Sequence, residues 1–123
     1  RMNKEAAFKA WAEGFGIPVY AETAVPEDAK EPYMTYYLPT AMFGDGEQAA
    51  TLSLWYRTTS EALPNAKARE IGKALARGGA IAACDEGILW LKRGTPFCQA
   101  MDSGDNAVKR RYINVSIEYI TNY

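Results

Sequence analysis

The sequence contains no histidine. That removes the commonest general base near neutral pH, the usual imidazole metal ligand and every histidine-dependent triad. Its two cysteines, Cys84 and Cys98, give neither a disulfide framework nor a zinc spacing. Without a histidine to draw off a proton, neither thiol reads as a nucleophile. Both read as small apolar groups in a reducing, cytoplasmic setting. No run approaches the roughly 20 apolar residues of a membrane-spanning helix, and the charged start RMNKEAAFKAWAEG lacks the apolar core of a secretory signal. With 14 Lys and Arg against 15 Asp and Glu, a net charge of −1, there is no global basic field to recruit nucleic acid. Ser53, Ser60, Ser103 and Ser116 have no G-x-S-x-G context. Gly44-Asp45-Gly46 and Gly78-Gly79 lack the strand–glycine–helix setting of a phosphate cradle. No catalytic group, cofactor or metal is therefore expected.

What is present describes a folded domain. The chain has 123 residues, 48% apolar and 24% charged, which fits one domain over residues 1–123. Arg1, ahead of Met2, reads as a residue added before the initiator. From Asn3 to Glu13 the pattern is helical: Phe8, Trp11, Ala12 and Phe15 share one stripe. Asn3 is the expected cap, and Gly14 or Gly16 the stop. Residues 17–32 carry Pro18, Pro26 and Pro32 and read as an extended linker, with an edge strand near Val19–Glu22.

Strands are expected over 33–38 and 49–58. In the second, Ala50, Leu52, Leu54 and Tyr56 face one way, and Thr51, Ser53, Trp55 and Arg57 the other. A second helix buries Ala68, Ile71, Gly72 and Leu75, with Ser60 as a cap and regular helix expected from Pro64. Gly94 and Pro96 divide the following segment into strands 88–92 and 97–102. Residues 109–121, KRRYINVSIEYIT, form the last strand. The expectation is an α+β domain, ordered α-β-β-α-β-β-β: a largely antiparallel four- to five-stranded sheet with two helices on one face.

Two helices cover only one face of such a sheet. Trp55, Tyr112 and Ile120, with Tyr36 or Tyr37, would occupy the other face among Thr51, Ser53, Arg57, Asn114, Ser116 and Glu118. Aromatic, hydroxyl and arginine character together suit a protein interface, while cross-strand Tyr and Thr pairs on a solvated sheet are the plain alternative. The run Lys109-Arg110-Arg111 reads as a solvated strand start, as ion pairs to a neighbouring subunit, or as contacts to a nucleic-acid backbone. The acidic loop residues, including Asp102 and Asp105, read first as solvated turns.

The succession of amphipathic helix, acidic proline-rich linker ending in EPYMTYYL, QAATLSLWYRTTS, the helix NAKAREIGKAL, and GILWLKRGTPFCQAMDSGDNAVKRRYINVSIEYIT resembles the tail-terminator, or tail-completion, proteins of long-tailed bacteriophages and prophages. The resemblance runs from about Asn3 to Thr121. It implies a non-enzymatic virion protein at the tail–head junction, assembled in the bacterial cytoplasm. Such proteins form a ring, usually a hexamer, on the last disc of tail-tube protein, stop polymerisation and present the head-joining surface. Their partners are other copies, tail-tube protein, head–tail connector proteins and DNA passing through the hole without sequence-specific binding. On that expectation Trp55, Arg57, Lys109, Arg110, Arg111 and Tyr112 contribute to subunit contacts, and Asp102 and Asp105 face the hole. Another head–tail connector, such as a neck or stopper protein, and a small nucleic-acid-binding regulatory domain are the alternatives.

Overall fold

Asn3 opens the first helix: its side-chain oxygen accepts from the Ala6 amide at 2.8 Å, satisfying one of the donors a first turn leaves free. The helix, α1 (Lys4–Glu13), ends at Gly14 and buries Ala7, Phe8 and Ala12. Trp11 stacks on Phe8 and meets Phe15 edge-on, as the spacing of the stripe predicts. The computed structural model describes residues 3–40 and 45–121. After α1 come β1 (Val19–Ala21), β2 (Tyr33–Tyr37), β3 (Glu47–Arg57), α2 (Ala62–Ala74), β4 (Ala80–Cys84), β5 (Gly87–Met101) and β6 (Val108–Thr121). Gly44 of the expected turn lies outside the described residues, while Gly46 adopts φ +83°, a conformation that glycine tolerates best.

Among the described residues the fold is α+β, with two helices and one six-stranded sheet ordered β1-β2-β3-β6-β5-β4. β1 runs parallel to β2, and the remaining pairs are antiparallel. Six strands exceed the four or five expected. β1 is the anticipated edge strand near Val19. β4, the segment AIAAC, reads as loop in the sequence, because alanine is depleted in strands. It forms because Asp85 and Glu86 fold it straight back onto β5. Conversely, the two short strands expected over 88–102 are one strand with an irregularity between Arg93 and Cys98. There the Asn114 side-chain amide of β6 donates to the Pro96 carbonyl at 2.7 Å, which spans the gap that Gly94 and Pro96 leave in the ladder. α2 also begins earlier than expected, at Ala62. Pro64 is tolerated in the first turn, where its missing N–H has no intrahelical acceptor to lose.

Both helices pack on the same face. α1 touches both edge strands, β1 and β4, as well as β5, and the sheet curls around it; α2 touches β3, β5 and β6. Alternate residues of the central strands meet them: Leu52 and Leu54 of β3, Leu89 and Leu91 of β5, and Ile113, Val115 and Ile117 of β6 are essentially inaccessible. Together with Phe8 and Ile71 they form one core. Phe97, displaced by the irregularity in β5, lies over Gly72, where an added Cβ would sit 3.1 Å from its ring. The opposite face of the sheet has no helix on it among the described residues.

Candidate functional site

The site is that opposite face. Because Leu52 and Leu54 point to the helices, strand alternation sends Thr51, Ser53, Trp55 and Arg57 outward. The register sets Tyr33 beside Trp55 and Thr35 beside Ser53 on one side, and Arg110 beside Trp55 and Tyr112 beside Ser53 on the other. These residues form a continuous ladder. Tyr20 meets Tyr33 edge-on at 5.8 Å between ring centroids, and Tyr33 stacks on Trp55 at 6.2 Å. The Arg110 guanidinium carbon lies 4.6 Å from the Trp55 ring centre and 5.6 Å from that of Tyr112, within cation–π range of both. Beneath the rings, Trp55 donates to the Thr35 hydroxyl at 3.0 Å and Arg110 Nη2 to the Ser53 hydroxyl at 3.1 Å. Although they belong to the face without helices, Thr35 and Ser53 are only 6% and 5% exposed. Arg110 Nε is buried without an acceptor among the described residues, an arrangement that costs free energy unless an acceptor is supplied from elsewhere. Burial, with the nearby Glu31 charge, raises the Tyr33 phenol above its ordinary pKa.

The far end of the same face is acidic. Glu47 of β3 and Glu118 of β6 lie directly opposite each other, a like-charge pairing that strands ordinarily disfavour. Lys92 bonds to Glu47 and holds its carboxyl below the usual range, chiefly through that hydrogen bond. The Glu118 side chain has no hydrogen bond or ion pair with another described residue, although its main chain pairs with both neighbouring strands. Between the two ends Ala49, Gly94, Asn114 and Ser116 line a shallow hollow of about 260 Å³.

The structure separates the basic run Lys109-Arg110-Arg111. Only Arg110 belongs to the ladder. Arg111 points to the helix side and is 6% exposed. It bonds to Glu61 and, through Nε at 3.0 Å, to the Asn65 side chain. Lys109 also pairs with Glu61, at 3.4 Å. These two cations therefore pin the start of α2 to β6 within the chain. The hydrogen bond from Arg111, reinforced by the charges of Arg111 and Lys109, holds the Glu61 carboxyl below its ordinary pKa.

Arg57 lies at the open end of the ladder, 3.2 Å from Glu31 and 3.7 Å from Asp105. Asp102 and Asp105 accept from the Gly104 and Ala107 amides at 2.8 and 2.9 Å, shaping the exposed turn between β5 and β6. Of the tyrosine pair, Tyr36 turns inward. It bonds to Glu5 at 2.8 Å, and burial followed by that bond pushes its pKa up to about 12. Tyr37 is the outward member, 51% exposed.

The sequence reading missed Tyr20, Tyr33 and Thr35 as members of the ladder. The parity of Tyr33, Thr35 and Tyr37 within one strand was the available signal. It also missed Glu61, whose partner lies 50 residues away. Among the described residues no three Asp, Glu, Cys or His side chains converge as a metal site. In comparisons with known proteins, no family model, no curated protein and no solved structure matches the chain.

Proposed function

We propose that this chain is a structural, ring-forming virion protein of the tail-terminator kind, which caps the tail tube and offers a surface for joining the head. The observation that carries the reading is the sheet face without helices. It holds an ordered aromatic–arginine ladder with a buried, unaccepted Arg110 donor at one end and an unmatched Glu118 carboxylate at the other. Such a surface suits protein contact, since tyrosine, tryptophan and arginine are the side chains that dominate interface energetics. A closed ring needs two complementary patches on each subunit. The ladder supplies one, with Trp55, Tyr112, Arg57 and Arg110 as its contact residues. Arg110 takes the cross-subunit role rather than Lys109 or Arg111, which are engaged with Glu61. Asp102 and Asp105, on their exposed turn, face the passage, where negative charge lets the DNA backbone slide without being held. The ring, expected to be a hexamer, needs no cofactor.

Electron microscopy of purified tail tubes incubated with the protein tests this reading. A disc closing one end of each tube is the expected image, and Trp55→Ala combined with Arg110→Ser should abolish it. Tubes left open by the wild-type protein, or binding at the portal instead of the tube, would sink the tail-terminator assignment. Binding at the portal would favour a neck or stopper role.

A further inference from the structure

The outer face of the two central strands is arranged symmetrically about one rung. β3 and β6 stand in the middle of the sheet, and their pairing sets Thr51 beside Asn114. Four residues from that rung in one direction, Trp55 lies beside Arg110; four residues in the other, Glu47 lies beside Glu118. The rungs between differ in size: Ser53 beside Tyr112 towards the basic end, Ala49 beside Ser116 towards the acidic end. Ala49 and Ser116, with Gly94 and Asn114, line the hollow of about 260 Å³. A half-turn about an axis above the Thr51–Asn114 rung and parallel to it therefore brings cation over anion and ring over hollow. Because α1 on the inner face reaches both edge strands, the sheet curls away on either side, and β3 and β6 form the crest of the outer face.

We infer that, away from the tail tube, this face is covered by a second copy of the chain, the two sheets packed face to face about a two-fold axis over the Thr51–Asn114 rung. The inference rests on the reading of the ladder as a protein-contact surface and names its occupant before a tube is met. Charge complementarity selects that occupant. The Arg110 guanidinium uses one donor on Ser53 and comes over the Glu47–Glu118 rung of the other copy. Tyr112 comes over Ala49 and Ser116 of the other copy and enters its hollow. Aligned sheets cross at about 30°. At about 13 Å from the axis that angle shifts the facing strand sideways by about 7 Å, within the span of an arginine and a glutamate. A crest about 35 Å long and three strand spacings wide buries about 500 Å² on each copy. The total of about 1,000 Å² stands at the lower bound for a specific contact, so the pair is weak and reversible. The contact is isologous and closes at two copies. Each copy hides the ladder of the other, and free subunits are held back from joining until the tube end offers a competing contact.

Sedimentation velocity of the full chain over a range of concentrations tests the pairing. The wild type should pass from one copy to two as concentration rises, and no further, with the two-copy species diminished by added salt. Ala49→Trp fills the hollow from an exposed strand position. Its melting temperature should not fall below wild type, while the association constant drops at least tenfold. Glu118→Arg should weaken the pair likewise, by setting an arginine against Arg110 of the other copy. The combined Arg110→Glu, Glu118→Arg exchange should restore it. Positions 110 and 118 lie about 26 Å apart on one strand, so recovery requires contact between copies. A wild type that stays single, association beyond two copies, an Ala49→Trp protein that pairs as before, or a charge exchange without recovery would each overturn the proposal. Tube capping by the wild type is read separately. Capped tubes with no pair in solution would refute the pairing and leave the ring standing; a pair in solution with tubes left open would do the reverse.

Discussion

Arg111 shows how one side chain fastens two elements. Its guanidinium is nearly inaccessible and is satisfied by Glu61 and Asn65 of the α2 start. Removing either partner takes an acceptor from a cation that is itself nearly inaccessible, although Glu61 is half exposed, and an unsatisfied buried donor is costly. Arg111→Lys should lower the melting temperature although it keeps the charge, because an ammonium cannot reproduce the forked geometry that reaches both acceptors. Glu61 makes the same contact depend on pH. Its folded pKa is depressed below the ordinary 4.5, so the contact contributes in full above that value and is lost as pH falls through the lower folded pKa. Acid titration followed by tryptophan fluorescence should therefore show a stability loss below about pH 4.5 that is smaller in Glu61→Gln. The sequence reading took the three cations as one run, although strand parity was the signal that separates them: Arg111 shares its side with Ile113 and Val115 whereas Arg110 shares its side with Tyr112. The Glu61 partner was not legible, because nothing local in sequence marks a contact between a helix start and a strand so distant along the chain.

Among the elements, α1 was the most legible, and β4 and β5 the least. A stripe of large apolar residues with a capping asparagine specifies α1 locally. Phe8 at its centre is fully buried against the sheet and Tyr36, so Phe8→Ala should cost about 3–5 kcal/mol, measurable as a lower urea midpoint. β4 depends on its surroundings: a weak strand sequence is held by the return onto β5 and by α1. β5 survives Gly94 and Pro96 because β6 supplies a side-chain bond where the main-chain ladder lapses. Gly87, which begins β5 beside the turn, has a stricter requirement. A Cβ there would lie 1.9 Å from the Ile120 carbonyl oxygen, and a backbone atom of the neighbouring strand cannot rotate away. Gly87→Ala should therefore unfold the β4–β5 corner and yield poorly soluble protein, whereas Gly104→Ala, with open space around the added Cβ but a positive φ of 84°, should cost only about 1 kcal/mol.

For the molecule as a whole, among the described residues one face of the sheet is closed by its own helices and the other is patterned by aromatic rings and charge. The two-layer α+β architecture followed from the succession of periodic segments, and the uncovered face from counting two helices against several strands. The ladder itself did not, because its continuity depends on the register that joins β2, β3 and β6. The near-neutral charge leads to a further prediction. Filter binding at physiological salt should show no retention of duplex DNA, since a net charge of −1 gives no overall basic field and phosphate affinity requires many cations gathered on one surface. Tight retention that weakened steeply with salt would instead favour the nucleic-acid-binding alternative.

The position of Trp55 also gives the molecule an optical gauge. Its indole is half-buried, hydrogen-bonded to Thr35 and overlaid by a guanidinium, so its emission responds to whatever comes to rest on that side of the sheet. With Trp11 and Trp90 replaced by phenylalanine, the one remaining indole, excited selectively beyond the tyrosine band, would report the arrival of a neighbour in real time, without any label.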